Sequence, residues 1–156
     1  ELASTQAVAF SHRFNPGDPE HHVFNQSRVL GGRSPFIEQA EKFLRNVFGY
    51  DLAVRFNQNG NTFVAAAMAK LLENAYRAME IILAQETARS MGGEFAEVRA
   101  AANTKWNIDI KEARDGVQGK CLPKDLNLFI EAYPSHALAR ILRGLNADYI
   151  AERMSQ

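Results

Sequence analysis

The one cysteine of the chain, Cys121, lies in the run Gly116-Val117-Gln118-Gly119-Lys120-Cys121-Leu122-Pro123-Lys124-Asp125. Glycines let a backbone come close to a ligand, and Pro123 marks a helix start that would leave Cys121 just ahead of the helix. The positive end of that helix, together with Lys120 and Lys124, favours a thiolate, the nucleophilic form of the side chain. The competing reading is a buried structural cysteine beside an ordinary helix-capping loop.

A second group comes from a helical stretch upstream. At 100° per residue Lys70, Glu73, Asn74, Arg77 and Glu80 share a stripe of roughly 120°, with Glu73 and Arg77 in the favourable order for an ion pair and apolar residues opposite. Lys70 and Asn74 stand one turn apart on it, and an ammonium with a carboxamide can stabilise a developing oxyanion or hold a water. The same stripe is also what a solvated helix face looks like. No G-x-G-x-x-G, Walker A, H-E-x-x-H or Cys/His cluster occurs, and His12, His21, His22 and His136 lack the spacing of a metal site. No metal is expected, and no cofactor-binding motif is present.

These residues need elements to position them. Gln6 to Phe10, Arg28 to Leu30 and Leu52 to Phe56 are strand candidates, with a turn-rich loop at Asn15 to Glu20 and Gly31-Gly32 ending the second strand. Ser34 is the expected cap of a helix with Pro35 first, carrying Phe36, Ile37, Ala40, Phe43, Leu44 and Val47 at helical spacing and stopped by Gly49. This is one βαβ-like unit, too little for a nucleotide-binding sheet. Between Gly60 and Gly92 there is neither glycine nor proline, which predicts a single helix of ~45 Å at 1.5 Å per residue. A domain of this size is only roughly 40 Å across, so such a helix calls for a partner. Further helices are expected at Glu94 to Ala102, Lys124 to Ala132, and Ser135 to Met154. The last would be capped by Ser135, with Leu138, Ile141, Leu142, Leu145, Tyr149 and Ile150 on one side.

The 156 residues are 46% apolar, with 18 basic and 18 acidic side chains, so a globular fold is expected and nothing marks a nucleic-acid or anionic-membrane surface. The long apolar stretch contains Lys70, Glu73, Arg77 and Glu80, too many charges for a membrane span. One cysteine excludes an internal disulfide and fits a reducing compartment, hence a cytoplasmic location.

Taken together, several segments resemble the UDP-glucose/GDP-mannose dehydrogenase family. They are Ala69-Lys70-Leu71-Leu72-Glu73-Asn74-Ala75-Tyr76-Arg77-Ala78, Gln85-Glu86, Glu97-Val98-Arg99-Ala100-Ala101-Ala102-Asn103-Thr104-Lys105 and Gly119-Lys120-Cys121-Leu122-Pro123-Lys124-Asp125, in the family's order and spacing. Pro16-Gly17-Asp18 and Ser27-Arg28-Val29-Leu30-Gly31-Gly32 are similar to the segment closing the family's N-terminal nucleotide-binding domain. The resemblance implies a mainly α fold with a small α/β N-terminal part, a long central helix and a helical bundle of the 6-phosphogluconate-dehydrogenase-like type. Residues 1–58 would be the tail of an incomplete Rossmann-like domain, and residues 59–156 the helical central domain, dimerising through the long helix 61–91.

By the same resemblance the activity is NAD-dependent oxidation of the 6-hydroxyl of a UDP- or GDP-sugar to the uronic acid, through a thiohemiacetal and a thioester on Cys121. Lys70 and Asn74 would stabilise the reacting oxygen, Asp125 would position the water or Lys70, and Gly119 and Lys124 would contact the substrate. Two departures stand out. Where the family carries a Pro-Glu pair whose carboxylate serves acid/base chemistry, the chain has Ser11-His12-Arg13, and Arg114, Asp115 and Gln118 replace proline and glycine in the turn before the cysteine. The rival expectations are a non-catalytic helical dimerisation module of the same superfamily, and a phosphogluconate-dehydrogenase-like helical domain in which Cys121 has no role.

Overall fold

The structure is a computed structural model that describes residues 7–11, 28–48, 54–55 and 62–155. His12, His21, His22, Gly49 and the turn-rich loop of residues 15–20 lie outside them. Two compact units divide the chain, Glu1–Lys70 and Leu71–Gln156.

In the first unit β1 (Ala7–Ser11) runs antiparallel to β2 (Arg28–Gly32), and β3 (Val54–Arg55) pairs with β2 in parallel, giving the order β1-β2-β3. The parallel step passes through α1 (Phe36–Phe48), so the expected βαβ-like unit is formed. Gly31 and Gly32 do not end β2; they continue its ladder opposite Val8 and Ala7. Helix α1 begins at Phe36, one residue after the expected Pro35, and the Arg33 carbonyl accepts from the amides of both Phe36 (2.8 Å) and Ile37 (3.0 Å). Leu30 and Ile37 are fully buried, whereas Phe43 and Val47 on the same helix are exposed.

Helix α2 (Thr62–Met91) is unbroken over 30 residues, as the absence of glycine and proline requires. Gly92, at φ +58°, opens a single 3-10 turn (Gly92–Glu94) that leads into α3 (Phe95–Ala102). The chain then turns back and is held to α3 by the Asn103 carboxamide, which accepts from the Ile110 amide (2.8 Å) and donates to its carbonyl (3.0 Å). Helices α4 (Cys121–Ala132) and α5 (Ala137–Met154) complete the second unit. Among the described residues no strand follows Arg55, and no helix is long and apolar enough to cross a membrane.

The core of the second unit joins Ala75, Ala78 and Ile82 of α2 to Val117, to Leu122, Leu126, Phe129 and Ile130 of α4, and to Ala139 and Leu142 of α5.

Three expectations are corrected here. Helix α4 starts at Cys121, three residues before the expected Lys124, because proline lacks only the N–H that a first turn does not use, and Pro123 therefore fits inside that turn. Helix α5 is capped by His136 in place of Ser135: its Nδ1 accepts from the Ala139 amide at 3.2 Å. On α5, Leu142 and Tyr149 are buried, but Leu138 and Ile141 are exposed.

Candidate active site

The polar stripe of α2 is not a solvated face. Asn74 is 3% exposed, whereas Leu72, Tyr76 and Leu83 on the other side of the helix are each more than half exposed. A buried carboxamide needs a partner, and Asn74 has one 51 positions away: its Nδ2 donates to Oδ2 of Asp125 at 2.5 Å. Asp125 is 7% exposed on the inner face of α4, next to Leu122 and Leu126. Its other oxygen, Oδ1, lies 3.1 Å from Nζ of Lys124, a residue whose own side chain is mostly in solvent.

Cys121 is exposed, which excludes the buried structural cysteine. It stands in the first helical position of α4 and not ahead of the helix, so its amide is one of the four that have no partner within the helix. Asp125 follows one turn later, and residues four apart share a helix face. The thiol and the Asp125–Asn74 pair are thus on adjoining turns, with the lysine ammonium of Lys124 against the carboxylate. Such an arrangement sets an accessible thiol one turn from a carboxylate that fixes a buried amide.

Of the other expected site residues, Gly119 adopts φ +86°, which glycine alone accepts readily, and a Cβ there would meet open space. Lys70 lies one turn before Asn74 on α2, partly buried, as the last residue of the first unit. The second unit therefore brings together Asn74, Asp125 and Lys124, with Cys121 one turn before Asp125 on α4. His136 serves as the cap of α5 with its ring centre 5.2 Å from that of Phe129.

The altered turn before the cysteine is closed by its own side chains and by α5. The Gln118 amide donates to the Asp115 carbonyl. Asn146 of α5, which sequence reasoning missed, grips Val117 twice, accepting from its amide (2.7 Å) and donating to its carbonyl (3.1 Å). The available signal was a carboxamide between Leu142 and Tyr149 on a face otherwise expected to be apolar. Gly116 needs both its conformation and its missing side chain, since at φ +94° a Cβ would sit 2.6 Å from Cγ1 of Ile150.

Residues 64–147 match the UDP-glucose/GDP-mannose dehydrogenase family, central domain. An NDP-N-acetyl-D-galactosaminuronic acid dehydrogenase of Ralstonia solanacearum is 30% identical over 151 residues, covering 92% of this chain and 34% of that protein. A UDP-N-acetyl-D-mannosamine dehydrogenase of Pyrococcus horikoshii is 34% identical over 139 residues, covering 86% and 32%. A solved structure of the UDP-D-ManNAc dehydrogenase from Pyrococcus horikoshii superposes with a TM-score of 0.70 at 30% identity, over 96% of this chain and 36% of that one. The chain spans about a third of the length of the curated relatives it matches. With the long helix, the helical bundle and the Cys121–Asp125 segment all present, the chain belongs to the UDP-glucose/GDP-mannose dehydrogenase family, whose central domain it carries.

Proposed function

We propose that this chain is the central part of a nucleotide-sugar 6-dehydrogenase, converting the 6-hydroxyl of a UDP- or GDP-sugar to a carboxylate by way of the aldehyde. The observation that carries the proposal is an exposed cysteine at the first position of α4, one turn from a buried Asp125 that is held by Asn74. In this reading the Cys121 thiolate attacks the aldehyde carbon, forming a C–S bond while the carbonyl electron pair moves to oxygen. Asn74, oriented by Asp125, and Lys70 from the preceding turn stabilise that oxygen. After oxidation to the thioester, a water positioned by Asp125 adds to the carbonyl carbon, the C–S bond breaks, and the thiolate leaves as the acid is released. Gly119 and Lys124 flank the approach of the substrate.

The family reading makes NAD the hydride acceptor in both oxidations. Gly31 and Gly32 at the β2–α1 junction are committed to the strand ladder and cannot cradle a pyrophosphate. In this reading residues 1–58 belong to the tail of the nucleotide-binding domain and residues 59–156 to the central domain. The test is acid formation from a nucleotide sugar and NAD by protein that contains this chain. Cys121→Ser is expected to lower it by about a thousandfold or more, and unchanged acid formation refutes the mechanism.

The partner in this reading is a second copy. Leu72, Tyr76, Met79 and Leu83 recur at four- and three-residue spacing along α2, and the first, second and fourth are largely exposed. Tyr76, Met79 and Leu83 line a mostly apolar groove together with Ile108, Leu138, Leu142 and Leu145. A stripe with this repeat is the seam of a helix pair, and burying it against its counterpart removes an apolar patch from water.

A further inference from the structure

Helix α4 begins without a cap of its own. Lys120, the residue at its N-cap, makes no side-chain hydrogen bond to the first turn, and Cys121 stands at the frayable end of the helix. Something outside the helix has to hold that end. Three side chains of α5 at i, i+3 and i+7 point at the preceding loop. Asn146 bonds both backbone groups of Val117, the Tyr149 hydroxyl donates to the Arg114 carbonyl at 2.8 Å, and the Arg153 guanidinium lies 3.2 Å from Oδ1 of Asp115. Val117 itself is 3% exposed and packs in the same core cluster as Leu122 and Leu126 of α4.

We infer that Asn146 is a positioning residue for Cys121: by fixing Val117 it holds the loop that leads, four residues later, into the first turn of α4. The inference rests on the reading of Cys121 as the nucleophile. The carboxamide suits this task because it satisfies an N–H and a C=O of one residue at once, as a paired strand would, and so holds Val117 in both position and orientation. Gly116 makes the grip possible, since only a residue without Cβ lets the loop lie against Ile150, one position from Tyr149 on α5. The Tyr149 and Arg153 contacts hold the loop further upstream, at Arg114 and Asp115.

Amide hydrogen exchange followed by NMR on this chain tests the inference. In Asn146→Ala, exchange at Val117 and at Asp125, whose amide closes the first turn of α4 onto Cys121, is expected to accelerate about tenfold, while Phe129 and Ile130 deeper in the helix stay within about twofold of the parent. Asn146→Asp keeps the acceptor for the Val117 amide and is expected to recover part of the protection at both positions. Should Asn146→Ala fail to fold, Asn146→Asp against the parent carries the same comparison. The rate of Cys121 alkylation by iodoacetamide is expected to change in step with Asp125, not with Phe129. Equal acceleration throughout α4, as a general loss of stability produces, overturns the inference, and so does release of Val117 with Asp125 unmoved. Cys121→Ser reports on the thiol's chemistry alone, so failure of the nucleophile and failure of the clamp give different results.

Discussion

The Asn74–Asp125 hydrogen bond offers the sharpest test of how the site is held together. Both side chains are nearly out of contact with water, at 3% and 7% exposure, and the donor–acceptor distance is 2.5 Å. A hydrogen bond to a charged group contributes about 1.5–3 kcal/mol, and little water can replace it here. Asn74→Ala leaves the Asp125 carboxylate with Lys124, whose exposed ammonium compensates weakly because solvent screens the pair. Asp125→Ala leaves the Asn74 amide without its acceptor. Each single substitution is therefore expected to cost about 2–3 kcal/mol, and the double substitution less than their sum by a coupling of about 1.5–3 kcal/mol. The assay is urea unfolding of the four proteins followed by far-UV circular dichroism. A coupling below about 0.5 kcal/mol, the range found for independent sites, would mean that the two groups are held by their separate surroundings and that Asp125 does not orient Asn74.

Other substitutions follow from the same structure. Gly116→Ala meets both a left-handed backbone and Ile150, and should destabilise by about 2–4 kcal/mol, whereas Gly144→Ala in the interior of α5, where the added methyl meets nothing, should stabilise by about 0.5–1 kcal/mol; thermal melts of the two distinguish strain from helix propensity. Gln85 is fully buried with neither end of its amide bonded, so Gln85→Met is expected to raise the melting temperature, and a fall would show that the carboxamide is needed there. Leu83→Glu on the exposed stripe of α2 is expected to yield a monomer by light scattering where the parent is a dimer; a monomeric parent refutes the helix-pair interface.

Much of this molecule was legible in the order of its residues wherever the controlling physics is local. A stretch without glycine or proline gives α2 its length, and a βαβ signature gives the crossover from β2 to β3. Where local rules are permissive the reading slipped by a residue or more: proline is tolerated in any position of a first turn, so α4 begins before Pro123, and either Ser135 or His136 can cap α5. Periodicity also shows that α2 has two unlike faces without saying which is covered. Only packing against α4 turns Asn74 inward and leaves Leu72, Tyr76 and Leu83 outside, because Asp125 supplies the partner that a buried amide requires. The grip of Asn146 on Val117, across 29 positions, is of the same kind. Residue order selects the elements and the spacing within each; which polar groups meet across them depends on long-range contacts that exist only once the core has formed.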